Sequence, residues 1–272
     1  MLSGQGVLVL LLLDHASGST LSSVPLLRFR GGHDDDITIL AQLKAQPPGP
    51  LSRDDVIEKL NIVPTFCIMQ HDGSVISLPD MDAKGGDECC TWFTDASEAR
   101  TAFKRITAAN PDVQGLHLAM HWLGDVFATC NGFPDEVSDM SQKYDGTLKL
   151  QAPRQFYHPV ATQLVRGMHQ QGLNPGAWIL PIFIGEHLAQ TGPGGEQLLL
   201  PVYLDPNDMR AAYKKVGIPK HVLDRGPKIM DLRQFVGHMM ARTNEHPNPW
   251  RSVQFIGSPD GAKLAHELME AR

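Results

Sequence analysis

Apolar positions along the chain fall into two recurring patterns, short β-prone runs and stretches with helical spacing. The clearest helical stretch places apolar residues at Ala99, Ala102, Phe103 and Ile106, the i, i+3, i+4, i+7 spacing of one buried helix face. It follows Thr91-Trp92-Phe93-Thr94-Asp95, a strand-like run. Its last residue is a preferred helix N-cap, and Glu98, three residues on, suits the positive helix start. The unit recurs as Pro201-Val202-Tyr203-Leu204-Asp205, with Asp208 as the acid and Met209, Ala212, Tyr213 and Val216 as the stripe. Pro206 takes the first helical position, where its missing N–H costs nothing. The interval between copies is 110 residues for both cap and stripe.

The flanks repeat as well. Ile62-Val63-Pro64-Thr65-Phe66-Cys67-Ile68 matches Ile179-Leu180-Pro181-Ile182-Phe183-Ile184, both strands with proline near the start, where no ladder N–H is needed. The first runs through Asp72-Gly73, a hairpin signal, into Ser74 to Leu78. The second runs through Gly185-Glu186 into a glycine-rich loop at Gly192 to Gly195. Downstream, a strand at 116–120 leads into a helix at 123–130, and a strand at 228–231 into a helix at 232–242. Outside the pairs, Ser52 caps a short helix over 52–60 with Asp55 three residues on, and 148–150 reads as a strand. The longest helix is expected over 153–171, with Phe156, Val160, Leu164, Val165 and Met168 as its core stripe. A last strand and helix follow at 250–256 and 259–271.

These elements predict an α+β fold: two structurally similar halves related by a pseudo-twofold axis, sharing one mixed sheet with flanking helices. The halves span about 52–134 and 147–242, with a C-terminal strand and helix over 250–271, all in one globular body from 34 to 272. Each half of roughly 110 residues could bury only a thin core, so each needs the other.

Composition narrows the class. Of 272 residues, 42% are hydrophobic and 20% charged, within the globular range. The net charge of −6 is spread without long blocks, which argues against a nucleic-acid binder. Twenty-five glycines and twenty prolines predict many turns. No apolar run approaches the ~20 residues of a membrane span, so no integral segment is expected, and peripheral association stays open. Val7 to Leu13 is an apolar run of seven residues, the short end of a signal-peptide h-region, although no Lys or Arg precedes it. His15 to His33 lacks Asp and Glu, is rich in hydroxyls, and carries Arg28 and Arg30, the composition of a transit peptide. Residues 1–33 are therefore expected to be a removable targeting leader. The alternative is a disordered N-terminus with a chance leucine run.

Most candidate chemistry fails on spacing. The cysteines, Cys67, Cys89, Cys90 and Cys130, form no CxxC pair. Cys89 and Cys90 are adjacent on a strand and face opposite ways, so one is expected in the core and one half-exposed. Asp80 to Glu88 resembles a calcium loop, but position 5 is Lys84 and position 12 is Thr91, where an acidic or amide ligand and a Glu are needed. It reads as a solvated turn. His117 and His121 sit on a strand, ~13 Å apart, too far to chelate one ion. Gly192 to Gly195 lacks the Lys-Ser/Thr ending of a phosphate loop. No catalytic constellation, metal set or cofactor site is expected. What remains is an aromatic set: Phe66, Trp92, Phe93, Trp122, Phe127, Phe183 and Tyr203. If helices cover only one side of the sheet, Phe66, Trp92, Phe93, Phe183 and Tyr203 line an exposed apolar groove, which would mark a binding surface. The competing arrangement is a closed two-sided core.

The Val63-Pro64-Thr65-Phe66-Cys67-Ile68 strand, Gly73, the Trp92-Phe93-Thr94-Asp95-Ala96 unit and Leu200-Pro201-Val202-Tyr203-Leu204-Asp205 resemble the soluble twenty-two-kilodalton component of the chloroplast inner-envelope translocon, in the Tic family. The resemblance covers about residues 52–242. Asp135 to Gly146 is lengthened relative to the family pattern, and Pro227-Lys228-Ile229 matches it thinly. The resemblance implies a non-enzymatic protein-import factor of the plastid. Such a protein holds unfolded preproteins, chaperone-like, in the space between the envelope membranes and hands them to the inner translocon. Its partners would be preproteins and inner- and outer-envelope translocon subunits, with no nucleic acid and no cofactor. The leader resembles the bipartite presequences that serve complex plastids. The alternatives are a structural subunit of a plastid complex with no chaperone role, and an enzyme using Cys89 and Cys90.

Overall fold

The computed structural model describes residues 49–79, 88–133, 147–176, 178–185, 188, 190–191, 197–219, 226–241 and 249–271. The expected leader, the 80–87 part of the acidic turn, the lengthened segment 135–146 and the Gly192 to Gly195 loop lie outside them.

Helix α1 (Arg53–Leu60) begins at a capping box: Ser52 Oγ accepts from the Asp55 N–H at 3.1 Å, and the Asp55 carboxylate accepts from the Ser52 N–H at 2.9 Å. Strand β1 (Pro64–Met69) turns at Gly73, whose φ of 85° a side-chain-bearing residue would resist, and β2 is Ser77–Pro79. Then come β3 (Glu88–Phe93), α2 (Ala96–Ala109), β4 (His117–Trp122), α3 (Leu123–Thr129) and β5 (Thr147–Gln151). The second half runs through α4 (Arg154–Tyr157), α5 (Ala161–Gln170), β6 (Pro181–Ile184), β7 (Gln190–Thr191) and β8 (Gln197–Tyr203). It continues with α6 (Pro206–Lys215), β9 (Lys228–Asp231), α7 (Leu232–Met240), a 3₁₀ turn (Pro249–Ser252), β10 (Val253–Ile256) and α8 (Pro259–Glu270).

The strands form two five-stranded sheets. In the first, β3 pairs antiparallel with β1 and β2 and parallel with β5, and β1 pairs antiparallel with β4. In the second, β8 pairs antiparallel with β6 and β7 and parallel with β10, and β6 pairs antiparallel with β9. The connectivity therefore repeats, down to the opposed pairs Phe66 with Phe93 and Phe183 with Tyr203.

The expected shared sheet does not form. Cys67, Trp92 and Leu150 of the first sheet join Ile182, Val202 and Phe255 of the second in one buried cluster, with Leu60, Leu123, Phe127, Phe235 and Met239 from α1, α3 and α7. Joining the sheets edge to edge would leave those faces in water. Bringing the faces together removes their apolar area from it, the dominant favourable contribution to folding. Polar ties reinforce the contact. Lys59 Nζ donates to the Arg251 and Val253 carbonyls at 2.7 and 3.1 Å, and Trp178 Nε1 donates to the Cys130 carbonyl at 2.9 Å.

The outer faces are covered too. Phe66, Ile68 and Phe93 lie under α2 and α8, through Ala96, Ala99, Leu264 and Ala265. Phe183 and Tyr203 lie under α6, through Met209, Ala212 and Tyr213, with Phe156 edge-on to Phe183. Two-sided cover corrects the expectation for the cysteine pair: Cys89 and Cys90 are both buried. It also holds Cys67 among apolar neighbours, and burial pushes its thiol up to about 12.

The expected helix over 153–171 is two helices, α4 and α5. Pro159 cannot supply the N–H a continuous helix requires, and the longest helix among the described residues is instead α2, with 14 residues. Among the described residues no helix is long and apolar enough to cross a membrane.

Candidate functional site

The outer face of the first sheet is not fully filled. Helix α2 carries small side chains where it crosses β3, and a cleft of about 550 Å³ opens between them, within the range of ligand sites. Leu78 and Pro79 of β2 and Cys89, Thr91 and Phe93 of β3 make its floor. Ser97, Glu98, Thr101, Ala102, Arg105, Ile106 and Ala109 of α2 make one wall. Gln151 and Arg154, at the end of β5 and the start of α4, close one end.

The polar groups in the cleft are largely tied to one another. A 3.2 Å hydrogen bond joins Cys89 Sγ and Thr91 Oγ1. Glu98 Oε1 accepts from the Arg154 backbone N–H at 2.8 Å, and Oε2 accepts from Gln151 Nε2 at 3.3 Å. The Gln151 carbonyl accepts from the Thr94 hydroxyl at 3.2 Å. Glu98 thus pins the start of α2 to the end of β5 and fixes the width of the cleft there. Asp208, the matching acid of the second half, has no such link among the described residues. Its Oδ2 is buried without a hydrogen-bond partner among the described residues. Burial, with Asp205 and Asp260 nearby, pushes its carboxyl up to about 6.

The five aromatics expected to line a groove are between 0% and 6% exposed. Phe66 and Phe93 meet across β1 and β3 in the core under α2 and α8, Trp92 faces the core between the sheets, and Phe183 and Tyr203 meet under α6. They occupy three separate clusters and do not line one open groove. A single-layer cover would have exposed them; helices on both faces do not. Only Phe93 of the five reaches the cleft. Burial beside Tyr213 and Asp208 pushes the Tyr203 phenol up to about 12, so it stays neutral.

Arg105, Arg154, Thr91 and Thr101 belong to no single site motif in the sequence. The signal was a stripe: Ser97, Thr101 and Arg105 are spaced by four on α2. That spacing puts two small polar residues and a cation on one helix face. Cys89 faces the cleft and Cys90 the opposite side, so the two thiols cannot act on one bound group. Among the described residues, no group of three or more His, Cys, Asp or Glu side chains is placed to hold a metal ion.

No family model and no curated protein matches the sequence. Solved structures do match. Anabaena Tic22, a protein of protein transport, superposes with a TM-score of 0.52 at 16% identity, covering 80% of this chain and 98% of that one. Tic22 from Plasmodium falciparum gives the same TM-score, identity and coverage. The fold is that of Tic22. The Tic22 likeness agrees with the resemblance read from the Trp92 to Ala96 and Leu200 to Asp205 units. At 16% identity, what is shared is the arrangement of elements, so the cleft residues stand on their own geometry.

Proposed function

We propose that this chain is a protein-transport factor of the plastid, which holds unfolded preproteins between the envelope membranes and hands them to the inner translocon. The observation that carries this reading is the fold it shares with Anabaena Tic22, a protein of protein transport. The cleft supports the holding step. An unfolded chain offers extended backbone and scattered apolar side chains, and a partly apolar concavity takes such groups without reading sequence. In this reading Phe93, Leu78 and Ile106 contact the client and the polar rim stays wet. Holding breaks no covalent bond and needs no nucleotide or metal, and the partners are preproteins and the translocon subunits of both envelope membranes.

The test places a photocrosslinking side chain at Thr101, which is exposed and lines the cleft. The expected result is an adduct with a preprotein arrested during import into isolated plastids. No adduct, together with normal import after depletion of the chain, would overturn the reading.

A further inference from the structure

We propose that the open edge of β4 takes up an extended polypeptide segment as an added strand, held by main-chain hydrogen bonds. The proposal rests on the preprotein-holding reading and adds a second contact to it, separated from the cleft by β1. Strand β4 pairs with β1 along one side. There the Leu123 N–H donates to the Val63 carbonyl at 2.9 Å, while the Ile76 N–H donates to the Ile68 carbonyl at 3.0 Å on the far side of β1. In an antiparallel ladder a residue's N–H and C=O point the same way and successive residues alternate. His117, Ala119 and His121 therefore bond to β1, and Leu118, Met120 and Trp122 turn their N–H and C=O groups outward. Among the described residues, no strand and no hydrogen bond from another element reaches those outward groups.

The other edges are closed. In β9, the counterpart of β4, the strand has four residues, and the Asp231 N–H donates to Gln234 Oε1 at 3.4 Å. The outward residues of β5, Leu148 and Leu150, are buried, and the Val253 carbonyl of β10 accepts from Lys59 Nζ. Strands β2 and β7 have only three and two residues. Strand β4 has six, and it carries no lysine, arginine, acid or proline, the devices that blunt an edge. A row of donors and acceptors recurring every second residue, about 7 Å, is matched by extended main chain. By alternation Leu118, Met120 and Trp122 share one face, and Trp122 is 37% exposed, so apolar side chains of a guest strand have neighbours there. A second copy of the chain fits less well. A six-residue edge is about 20 Å long and buries on the order of a few hundred Å², against roughly 800 Å² per partner in a stable dimer. So small a contact suits a segment that is held and then released.

The test titrates the full chain, and its Thr101→Trp variant with the cleft filled, with a labelled peptide that has a Thr-Val-Phe-Val-Thr centre. A second peptide is the same but N-methylated at every central amide, and both are read by fluorescence anisotropy. In Thr101→Trp the plain peptide is expected to bind, and the N-methylated one about tenfold more weakly, because its N–H groups are gone. Met120→Pro removes an outward N–H that β1 does not use, a place where an edge strand tolerates proline. It should weaken the plain peptide by a similar factor while the melting temperature holds. Hydrogen exchange of the unsubstituted chain needs no variant: saturating peptide should slow the Leu118, Met120 and Trp122 amides about tenfold. Equal binding of the two peptides, or unchanged exchange at those three amides, would overturn the edge site. Peptide bound by the unsubstituted chain and lost in Thr101→Trp would overturn it as well, and leave holding to the cleft. A dimer in sedimentation that Met120→Pro dissolves, with no peptide bound, would give the edge to a second copy and overturn the proposal. Binding to no form of the chain would overturn the edge site alone, since the Thr101 crosslink to an arrested preprotein tests the holding reading separately.

Discussion

The strand-to-helix corner from β4 to α3 and its counterpart from β9 to α7 have the same backbone and opposite chemistry. At both corners a fully buried leucine opens the helix, and its N–H donates at 2.9 Å to the residue before the strand-start proline: Leu123 to the Val63 carbonyl, Leu232 to the Leu180 carbonyl. In the first half the cap residue is Trp122, 37% exposed and without a capping side chain. The cap comes from another element. Asn61, just past α1, accepts from the Asp125 N–H through Oδ1 at 3.1 Å and donates to Asp125 Oδ1 through Nδ2 at 3.2 Å. Gly124 makes room for this, since a Cβ there would lie 2.3 Å from the Ile57 carbonyl oxygen. In the second half α5 arrives there, its Met168 Sδ accepting from Arg233 Nη2 at 3.7 Å, and the cap is the helix's own. Asp231 caps its own helix, accepting from the Arg233 N–H at 2.9 Å and from the Leu180 N–H at 3.0 Å. Arg233 stands where Gly124 stands in the first half, paired with Asp231 at 3.2 Å and stacked 4.3 Å over the Trp178 ring. One corner is capped from the end of a neighbouring helix, the other by its own residue in a buried ion pair. A repeat keeps its backbone bonds, and its side chains follow whatever packs on it.

The contrast is most easily broken at Asp231. Asp231→Ala removes the cap and strands a buried guanidinium, and should cost about 3–4 kcal/mol in denaturant unfolding. A loss near that of an exposed cap would show that Arg233 finds water. Next is Gly124→Ala, which drives a methyl into the α1 backbone and should cost about 2 kcal/mol by overpacking. A neutral result would mean that α1 can shift without consequence. Asn61→Ala removes a cap supplied from outside the helix and should cost about 1 kcal/mol. The double variant Gly124→Ala with Asn61→Ala should be less than additive, because both act on the contact of α1 with α3.

The smallest effect runs the other way, at the acids that follow the Asp95 and Asp205 caps. Asp208 has a folded pKa of about 6, above its ordinary value of 3.8. A carboxyl raised by folding favours the folded state below its unfolded pKa, and that contribution is lost as pH rises through the folded value. Asp208→Asn should therefore stabilise the chain by about 1 kcal/mol at pH 7.5, after discounting for solvent screening at a partly exposed site. The gain should fade between pH 7 and 4. Thermal melts of both proteins across that range check it, and a gain constant with pH would assign the effect to something other than the charge. Glu98, with both oxygens hydrogen-bonded, should give no such gain as Glu98→Gln.

Much of this was legible in the sequence. Ser52 with Asp55, and the Asp95 and Asp205 caps, act within one turn, and local residues were enough to place them. The Asp72-Gly73 hairpin is legible for the same reason. The 110-residue interval brought out the duplication, because equivalent side chains meet equivalent backbone in both copies. The helix expected over 153–171 was misread because its apolar stripe continues past Pro159, while the backbone cannot. The groove was misplaced because alternation along β3 tells which residues share a face but not what covers that face. Trp92 and Phe93 point opposite ways, and each found a different roof.

By itself the sequence determined most of the elements, the caps at Ser52, Asp95 and Asp205, the order in which the elements repeat and the family likeness that the fold agrees with. Each of these depends on contacts within a few residues or on the recurrence of such contacts. The tertiary structure alone decided that the two halves form separate sheets around a common core. It also decided that the aromatics are enclosed, and that a cleft opens beside β3 where α2 presents Ser97, Thr101 and Ala102. Burial and cavities depend on which distant surface arrives at a face, and apolar area is attracted without direction. A pattern that marks a side chain as apolar therefore cannot say which surface will cover it.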